Sequence, residues 1–329
     1  MPMTTVAVTG CSGYLGRKVC ELLERDDDVG RVVGIDVREP GFGTRNLEFY
    51  KIDVRSGDLA TVMHGCEAIV HLAAVNGNDA AETQDVIVGG MRSVTRAASA
   101  VGARKLVFTS AADVYGSHPD NASALTEEAV VRPAPRSYGA ANAEAEDIAR
   151  SFAFDHREAV VSILRLAGVC GPSMPLTPIV PGPPRGSDRP FQALHEDDAA
   201  RAIGHFLLED LPGTFNVAAT DVVQRPGELI GPDAVGRVRD AAARVGVGAG
   251  PMQRSSSIVM STERLRASGF EPEHSSADAL RAGADAQRGW VSVAGVRFRP
   301  SWLAAVAGSV AALALSSAAR AARARRARA

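Results

Sequence analysis

Three glycines spaced by three, Gly10, Gly13 and Gly16, carry the first chemistry in this sequence. Ahead of them Val6-Ala7-Val8-Thr9 is a short, mostly apolar run. From Tyr14 onward apolar residues recur at Val19, Leu22 and Leu23, at helical spacing. The pattern reads as strand, tight turn, helix. Glycine permits positive φ and lets a ligand approach the main chain without a Cβ in the way. The start of the helix offers free N–H groups and a positive dipole end, which suit a pyrophosphate. Taken alone, the pattern also describes a βα turn that holds nothing. A second apolar run, Val32-Val33-Gly34-Ile35, ends about twenty residues further on in Asp36, where an acid can take a ribose 2′-hydroxyl. Together these features predict a dinucleotide site for NAD rather than NADP. Arg38 argues the other way, since a nearby arginine can hold a 2′-phosphate.

The elements that would position these residues follow from the alternation of apolar runs. Strands are predicted at Thr4–Thr9, Arg31–Asp36, Glu48–Ile52, Ala68–Leu72, Arg104–Thr109 and Val160–Arg165. Helices are predicted at Tyr14–Arg25, Gly57–His64, Thr83–Val101 and Ser137–Phe154. Such alternation builds a parallel sheet covered on both faces, and right-handed crossovers make it doubly wound. The fold class is therefore α/β, a Rossmann-type doubly wound parallel sheet with a small C-terminal substrate lobe. The expected division is a nucleotide-binding core over 1–165, a substrate lobe over 166–289 interleaved with it, and an extension over 290–329.

With 329 residues, 46% hydrophobic content and a formal charge of −2, the chain has the composition of an ordinary globular protein and shows no bias toward nucleic acid. The four cysteines, Cys11, Cys20, Cys66 and Cys170, form no CxxC pair. That fits a reducing compartment and argues against a disulfide scaffold or a metal site. The first strand starts within about four residues of the beginning, leaving no room for a signal peptide, so a cytoplasmic location is expected.

A set of motifs follows in order: Thr9-Gly10-x-x-Gly13-Tyr14-Leu15-Gly16, Asp36, Asp53-Val54, His71-Leu72-Ala73-Ala74, Val114-Tyr115-Gly116, Tyr138-Gly139, Leu164-Arg165-Leu166, Gly171-Pro172 and His195-x-Asp197-Asp198. Phe215-Asn216-Val217-Ala218 and Ser261 through Pro272 complete it. As a set it resembles the extended short-chain dehydrogenases/reductases, the NAD-dependent epimerase/dehydratase branch. The resemblance covers about residues 4–289 and implies roles. Gly10, Ser12, Gly13, Tyr14, Leu15 and Gly16 would cradle the pyrophosphate. Asp36 would bind the adenosine ribose and Asp53 the adenine edge, with Val54 packing on the ring. Leu72, Ala73 and Ala74 would line the path to the nicotinamide. Two alternatives stand beside these roles: Asp53 as a cap for the helix near Gly57, and His71 as a packed core histidine rather than a base.

The same resemblance implies a tyrosine as acid/base, with a lysine four residues on that lowers its pKa and binds the nicotinamide ribose. Tyr138 is present, but Asn142 stands at the second position, and no lysine follows Lys105. Asparagine donates a hydrogen bond without a charge, whereas a phenol near pKa ~10 needs a cation to ionise near neutrality. Three positions before Val114, where the family has Ser or Thr, stands Ala111. Ser110 and Thr109 are the adjacent hydroxyls, and Ser110 is the expected oxygen partner. Ile87 and Met91 occupy positions where the family usually has asparagine and threonine. Two readings result. One is an NAD-dependent oxidoreductase or epimerase with Tyr138 and Ser110 at the reacting end, acting on a small hydroxylated substrate such as a sugar nucleotide. The other is a catalytically degenerate NAD-binding regulatory or interaction protein.

Beyond Gly171-Pro172 the chain is rich in Pro and Gly, and Arg185 and Arg189 either grip a substrate phosphate or belong to a solvated loop. A helix over Glu196–Leu208 buries Ala199, Ala200, Ile203, Phe206 and Leu207, with His195 structural at its start. Small helices are expected at Arg225–Val245 and Ser261–Ser268, and a strand in Trp290–Phe298. Trp302–Ala319 lacks charge, and as a helix would be ~27 Å long, just short of a hydrocarbon core. Arg320, Arg323, Arg325, Arg326 and Arg328 follow it. A tail that spans a membrane, a tail that docks on an anionic membrane face or a partner, and a frayed alanine-rich tail are all open readings. The expected partners are a small-molecule substrate, a second copy in a homodimer, and the inner face of a membrane through residues 302–329.

Overall fold

The computed structural model describes residues 4–55, 58–75, 79–121, 124–173, 190–224, 258–287, 291–293 and 296–298. The chain divides into two compact units, Met1–Gly231 with Gly250–Ala286, and Pro232–Ala249 with Gln287–Ala329.

The first unit is built on a seven-stranded sheet. In chain order its elements begin β1 (Thr4–Thr9), α1 (Tyr14–Leu23), β2 (Val29–Asp36), β3 (Leu47–Lys51), α2 (Leu59–Val62), β4 (Ala68–His71) and α3 (Ala80–Gln84). They continue with α4 (Gly90–Val101), β5 (Lys105–Ala111), α5 (Tyr138–Asp155), β6 (Val160–Leu166), β7 (Gly168–Cys170), β8 (Ala193–His195), α6 (Glu196–Leu208), β9 (Gly213–Val217), α7 (Glu263–Ala267) and α8 (Ser276–Gln287). The sheet order is β3-β2-β1-β4-β5-β6-β9, and every pairing is parallel. The order reverses between β1 and β4, which opens a crevice at the carboxyl ends of those two strands.

Strand alternation divides the core. Val6, Val8, Val32 and Val70 face one layer, shared with Val19 and Leu23 of α1 and Ile203 and Phe206 of α6. Ala7, Val33, Ile35 and Ile69 face the other, shared with Met91 and Val94 of α4 and Ala141 and Ala145 of α5. Period-two alternation puts successive side chains on opposite faces, so both faces need apolar residues and both are covered. A smaller cluster joins Cys170, Ala193, Ala279, Leu280 and Ala284 around the β7–β8 pair and α8. The four cysteines are buried free thiols.

The predicted strands of the first half all form. The helix expected over Thr83–Val101 is instead three pieces: α3, a π-helical turn at Asp85–Gly89, and α4. Ile87 and Met91 are fully buried there. The helix expected from Gly57 is a single turn, Leu59–Val62. In the second unit, the single strand expected over 290–298 is a hairpin, β10 (Val291–Val293) antiparallel to β11 (Val296–Phe298). Arg185, Arg189, the helix expected at Arg225–Val245, Trp302–Ala319 and the arginine-rich tail lie outside the described residues. Among the described residues no helix is long and apolar enough to cross a membrane.

Candidate active site

The glycine-bordered turn sits at the crevice. Gly10 has φ +74, and a Cβ on it would lie 2.8 Å from the Ala73 main-chain nitrogen. The loop after β4 therefore closes directly onto the turn after β1. A Cβ on Gly16 would lie 2.1 Å from the Gly10 carbonyl oxygen, so the turn folds flat against the first turn of α1. Gly13 is the N-cap of α1 and no side chain caps it. The N–H groups of Tyr14, Leu15 and Gly16 are thus left for an anion, in the field of the helix dipole.

Asp36 ties this turn to the end of β2. Its carboxylate accepts the Ser12 N–H at 3.1 Å and the Arg38 N–H at 2.9 Å. The Ser12 hydroxyl donates to the Arg38 carbonyl at 2.6 Å. A carboxylate has about four acceptor positions, so two remain on Asp36 for a vicinal diol. The Arg38 guanidinium is exposed and approaches Asp36 only to 4.0 Å. Tyr14 and Val37 are exposed apolar side chains at the rim of this cradle. Sequence reasoning passed over Val37, whose only signal is an apolar residue between an acid and an arginine.

The remaining cofactor-side residues divide. The Leu72 N–H donates to the Thr9 carbonyl at 3.1 Å, and Ala74 is exposed beyond it. Asp53 does not cap α2, whose N-cap is Asp58. It is held instead by Arg55, whose Nε donates to it at 2.9 Å and which also binds Asp85 at 2.5 Å. That guanidinium keeps the Asp53 carboxyl below its usual range. Val54 is buried, with a methyl 3.0 Å from where a Cβ of Gly90 would stand, so its side chain packs in the core. His71 is a core histidine. It shares a hydrogen bond with Thr9 Oγ1 at 2.7 Å and stacks on Phe108, and burial pushes its pKa down to about 4.

At the reacting end, Tyr138 opens α5, and Ser137 caps the helix by accepting the Ala140 N–H at 3.1 Å. Burial, then the negative charge of Asp113, push the Tyr138 phenol up to about 12, with the Asn142 amide pulling the other way. Asn142 is buried, and its amide donates to the Tyr138 carbonyl at 2.9 Å. The three lysines are engaged elsewhere: Lys18 with Glu196 and Asp197, Lys51 with Glu39, and Lys105 with Asp210. Ser110 departs from its expected role as oxygen partner. It is buried, and its hydroxyl donates to Glu146 at 2.6 Å.

Glu146 anchors a buried polar network that the sequence reading missed. Arg165 donates to it from Nε at 2.9 Å and Nη2 at 2.7 Å, and Arg150 adds a bond at 2.5 Å. Arg165 also donates to the Tyr115 hydroxyl at 2.8 Å, and Tyr115 donates to Asn216 Oδ1 at 2.7 Å. The signal for it was a glutamate two turns after Tyr138 on an alanine-rich helix face.

In the lobe, His195 accepts the Asp197 N–H at 3.2 Å and caps α6, as expected of a structural residue. His195, Asp197 and His274 bring ligand-type atoms within 4.8 Å of one another. The two imidazoles, however, stack at 3.9 Å with planes 18° apart. A metal must lie in the plane of each ring that binds it, so this stack does not chelate one. His274 Nδ1 instead pairs with the buried Asp198 at 3.1 Å.

The family model of the NAD dependent epimerase/dehydratase family matches residues 6–181, which include the cradle, Asp36 and Tyr138. The chain belongs to that family. Within it, the chain is similar to the uncharacterized protein Rv0501 of Mycobacterium tuberculosis, 29% identical over 237 residues, 66% of this chain and 63% of that protein. It is also similar to UDP-glucose 4-epimerase 4 of Oryza sativa subsp. japonica, 33% identical over 180 residues, 49% of this chain and 48% of that protein. The chain thus spans less than two thirds of the length of these relatives. Among solved structures, MoeE5 in complex with UDP-glucuronic acid and NAD shares the fold, with a TM-score of 0.69 at 22% identity over 86% of this chain and 99% of that one.

Proposed function

We propose that the chain is an NAD-dependent oxidoreductase of the epimerase type acting on a small hydroxylated substrate, with sugar nucleotides as the first class to test. One observation carries this reading: the uncapped start of α1, the close approach at Gly10 and Gly16, and the two open acceptor positions of Asp36 converge on the sheet's switch point. That is the donor and acceptor set a dinucleotide requires. The pyrophosphate would lie on the N–H groups of Tyr14, Leu15 and Gly16, and the adenosine ribose on Asp36. The base would cover the exposed Val37. When bound, the nicotinamide supplies hydride acceptance and donation. UDP-sugar relatives support the substrate class, and the NAD in the MoeE5 complex supports the cofactor.

A second reading is a protein that holds NAD without turnover. It is favoured by Asn142, whose uncharged amide is committed to the helix backbone, and by the distant engagement of all three lysines. Loss of general acid–base assistance lowers rates by about 10²–10⁴-fold. Calorimetry with NAD⁺ followed by single-turnover reduction of NAD⁺ by UDP-glucose separates the two. Binding with NADH formation supports the enzyme, and binding without it supports the holder. Absence of binding to NAD⁺, NADH and both phosphorylated forms defeats both.

A further inference from the structure

Between the start of α3 and the first two turns of α5 lies a cleft of about 860 Å³. Asp79, Ala81 and Gln84 line one side, and Arg136, Ala140 and Glu144 line the other. Small-molecule sites commonly have volumes of roughly 300–1,000 Å³. None of these six residues belongs to the cofactor cradle.

Arg136 is the unusual residue here. Among the described residues it is the only non-glycine with positive φ, at +56. The Ser137 N–H donates to the Ala134 carbonyl at 3.2 Å and closes a four-residue turn, Ala134-Pro135-Arg136-Ser137. Proline at the second position and positive φ at the third are the marks of a type II turn. The third position favours glycine or asparagine, because a larger side chain is strained there. The turn itself therefore gains nothing from an arginine. What arginine supplies and glycine does not is a guanidinium, and strain of this kind points to a function.

That guanidinium is uncommitted: Arg136 has no ion pair and no side-chain hydrogen bond among the described residues. The other charges bordering the cleft are taken. Glu144 accepts Gln84 Nε2 at 2.5 Å on one carboxylate oxygen and Arg92 Nη2 at 2.8 Å on the other. Arg132 is held by Asp120, and Arg55 by Asp53 and Asp85. Asp79 caps α3 through Oδ1 alone, which accepts the Ala81 N–H at 2.8 Å and the Glu82 N–H at 3.2 Å. Its Oδ2 has no partner among the described residues. The cleft thus offers one planar fork of donors and one carboxylate oxygen. The fork matches a carboxylate, which it can hold by two parallel bonds. The free oxygen accepts a hydroxyl proton and repels a second negative charge, which disfavours a phosphate dianion. A ligand with one carboxylate and neighbouring hydroxyls satisfies both groups.

The cleft also adjoins the reacting end. Arg136 is two peptide links from Tyr138, so their Cα atoms lie within about 7.6 Å of each other. On the opposite wall α3 runs into the π turn, and Tyr138 packs against the apolar layer that holds Ile87 of that turn.

We propose that this cleft is a subsite for the carboxylate of a sugar acid and that Arg136 selects an acidic substrate over its neutral counterpart. The selection rests on the reading of the chain as a hydride-transfer protein; the binding does not. Arg136 is a specificity residue and moves neither proton nor hydride.

The test uses the full chain and calorimetry with D-glucuronate, D-glucose and inorganic phosphate. The parent binds D-glucuronate about tenfold or more tightly than either of the others. Arg136→Asn removes the guanidinium but keeps a residue that tolerates the left-handed turn. Its affinity for D-glucuronate falls about tenfold or more, while its melting temperature does not fall. Arg136→Lys, a cation without the fork, recovers part of that affinity. Equal affinity for D-glucose, tighter binding of phosphate, or unchanged D-glucuronate affinity in Arg136→Asn overturns the assignment. A lower melting temperature in Arg136→Asn makes the arginine a structural residue and overturns it too. With NAD⁺, the ratio of single-turnover NADH formation from UDP-glucuronate to that from UDP-glucose falls about tenfold or more in Arg136→Asn. An unchanged ratio overturns the selection. If the chain binds D-glucuronate through Arg136 but no nicotinamide dinucleotide, the cleft stands and the functional reading fails. If it binds NAD⁺ and not D-glucuronate, the functional reading stands and the cleft assignment fails.

Discussion

The Asp36 carboxylate accepts the Ser12 N–H at 3.1 Å, so the acid that ends β2 is locked to the turn that follows β1. It is a structural clamp and an open acceptor at once. Asp36→Ala removes both. A hydrogen bond to a charged group contributes about 1.5–3 kcal/mol, so NAD⁺ affinity by calorimetry is expected to fall roughly 10–100-fold. Affinity for NADP⁺ is expected to fall less, because the exposed Arg38 is then free to meet a 2′-phosphate. A parent protein that binds NADP⁺ as tightly as NAD⁺ would contradict the role given to Asp36.

Gly16 makes a sharper prediction. Its missing Cβ would be 2.1 Å from the Gly10 carbonyl oxygen, a main-chain atom that cannot swing aside. Gly16→Ala must separate the turn from α1. Overpacking of this kind costs typically 1–3 kcal/mol, and the melting temperature falls accordingly. The thermal shift produced by NAD⁺ should vanish in this variant. Retention of a full shift would show that the turn is not the pyrophosphate cradle.

Asn142 tests the reacting end. Asn142→Lys places an ammonium one helical turn from Tyr138, on the same face. A cation within ~4–6 Å favours the ionised phenol by about 1–3 pH units. The Tyr138 midpoint, pushed up to about 12 in the parent, should drop by at least one unit as read by 13Cζ-tyrosine NMR. No movement would mean that residue 142 does not face the phenol.

The fold was legible because its signals are local and repeated. Short apolar runs marked all six strands of the first half, three of them closed by Gly10, Asp36 or Asp53, and the Gly10–Gly16 spacing marked the turn. The helix over Thr83–Val101 read as one piece because its apolar spacing is nearly continuous through Ile87 and Met91. The π turn at Asp85–Gly89 keeps Ile87 buried, and apolar spacing carries no mark of such a turn. At the site, Asp36 ends β2 as the pattern expects, while the Ser110 hydroxyl is held by Glu146. Ser110 stands next to the expected position, but strand alternation sends its hydroxyl to the face where Glu146 waits. The Glu146–Arg165 pair joins residues nineteen positions apart on different elements, and a single sequence carries no mark of such a contact.

His71 makes a prediction about acid stability. Its ring is buried and neutral, with a pKa of about 4 in place of the ordinary 6.5. The unfolded chain takes up this proton near pH 6.5 while the folded protein resists it. The neutral ring's contribution is therefore complete above pH 6.5 and is lost as pH falls toward 4. Between pH 6.5 and pH 5 this amounts to about 2 kcal/mol. Urea denaturation at the two pH values should show that loss in the parent and a smaller one in His71→Gln. Equal losses would place the acid sensitivity on other groups.

Glu146 and Arg165 have the opposite logic, because both are charged and both are buried. Burial alone would raise the Glu146 carboxyl, but the Arg165 hydrogen bonds and charge outweigh it and hold the carboxyl below its usual range. The pair's contribution is therefore complete above the ordinary glutamate value and is lost as pH falls below it. Arg165→Met leaves a buried carboxylate with the Ser110 hydroxyl and the half-exposed Arg150 as its remaining partners, and such a break costs about 3–5 kcal/mol. Glu146→Gln strands the arginine and should cost a comparable amount. The double variant removes both charges together, and its cost by urea denaturation should fall well short of the sum, since residues in direct contact couple by about 0.5–3 kcal/mol. Additive losses would mean that each side chain is stabilised by other partners, and the network around Tyr115 and Asn216 would then be the place to look for them.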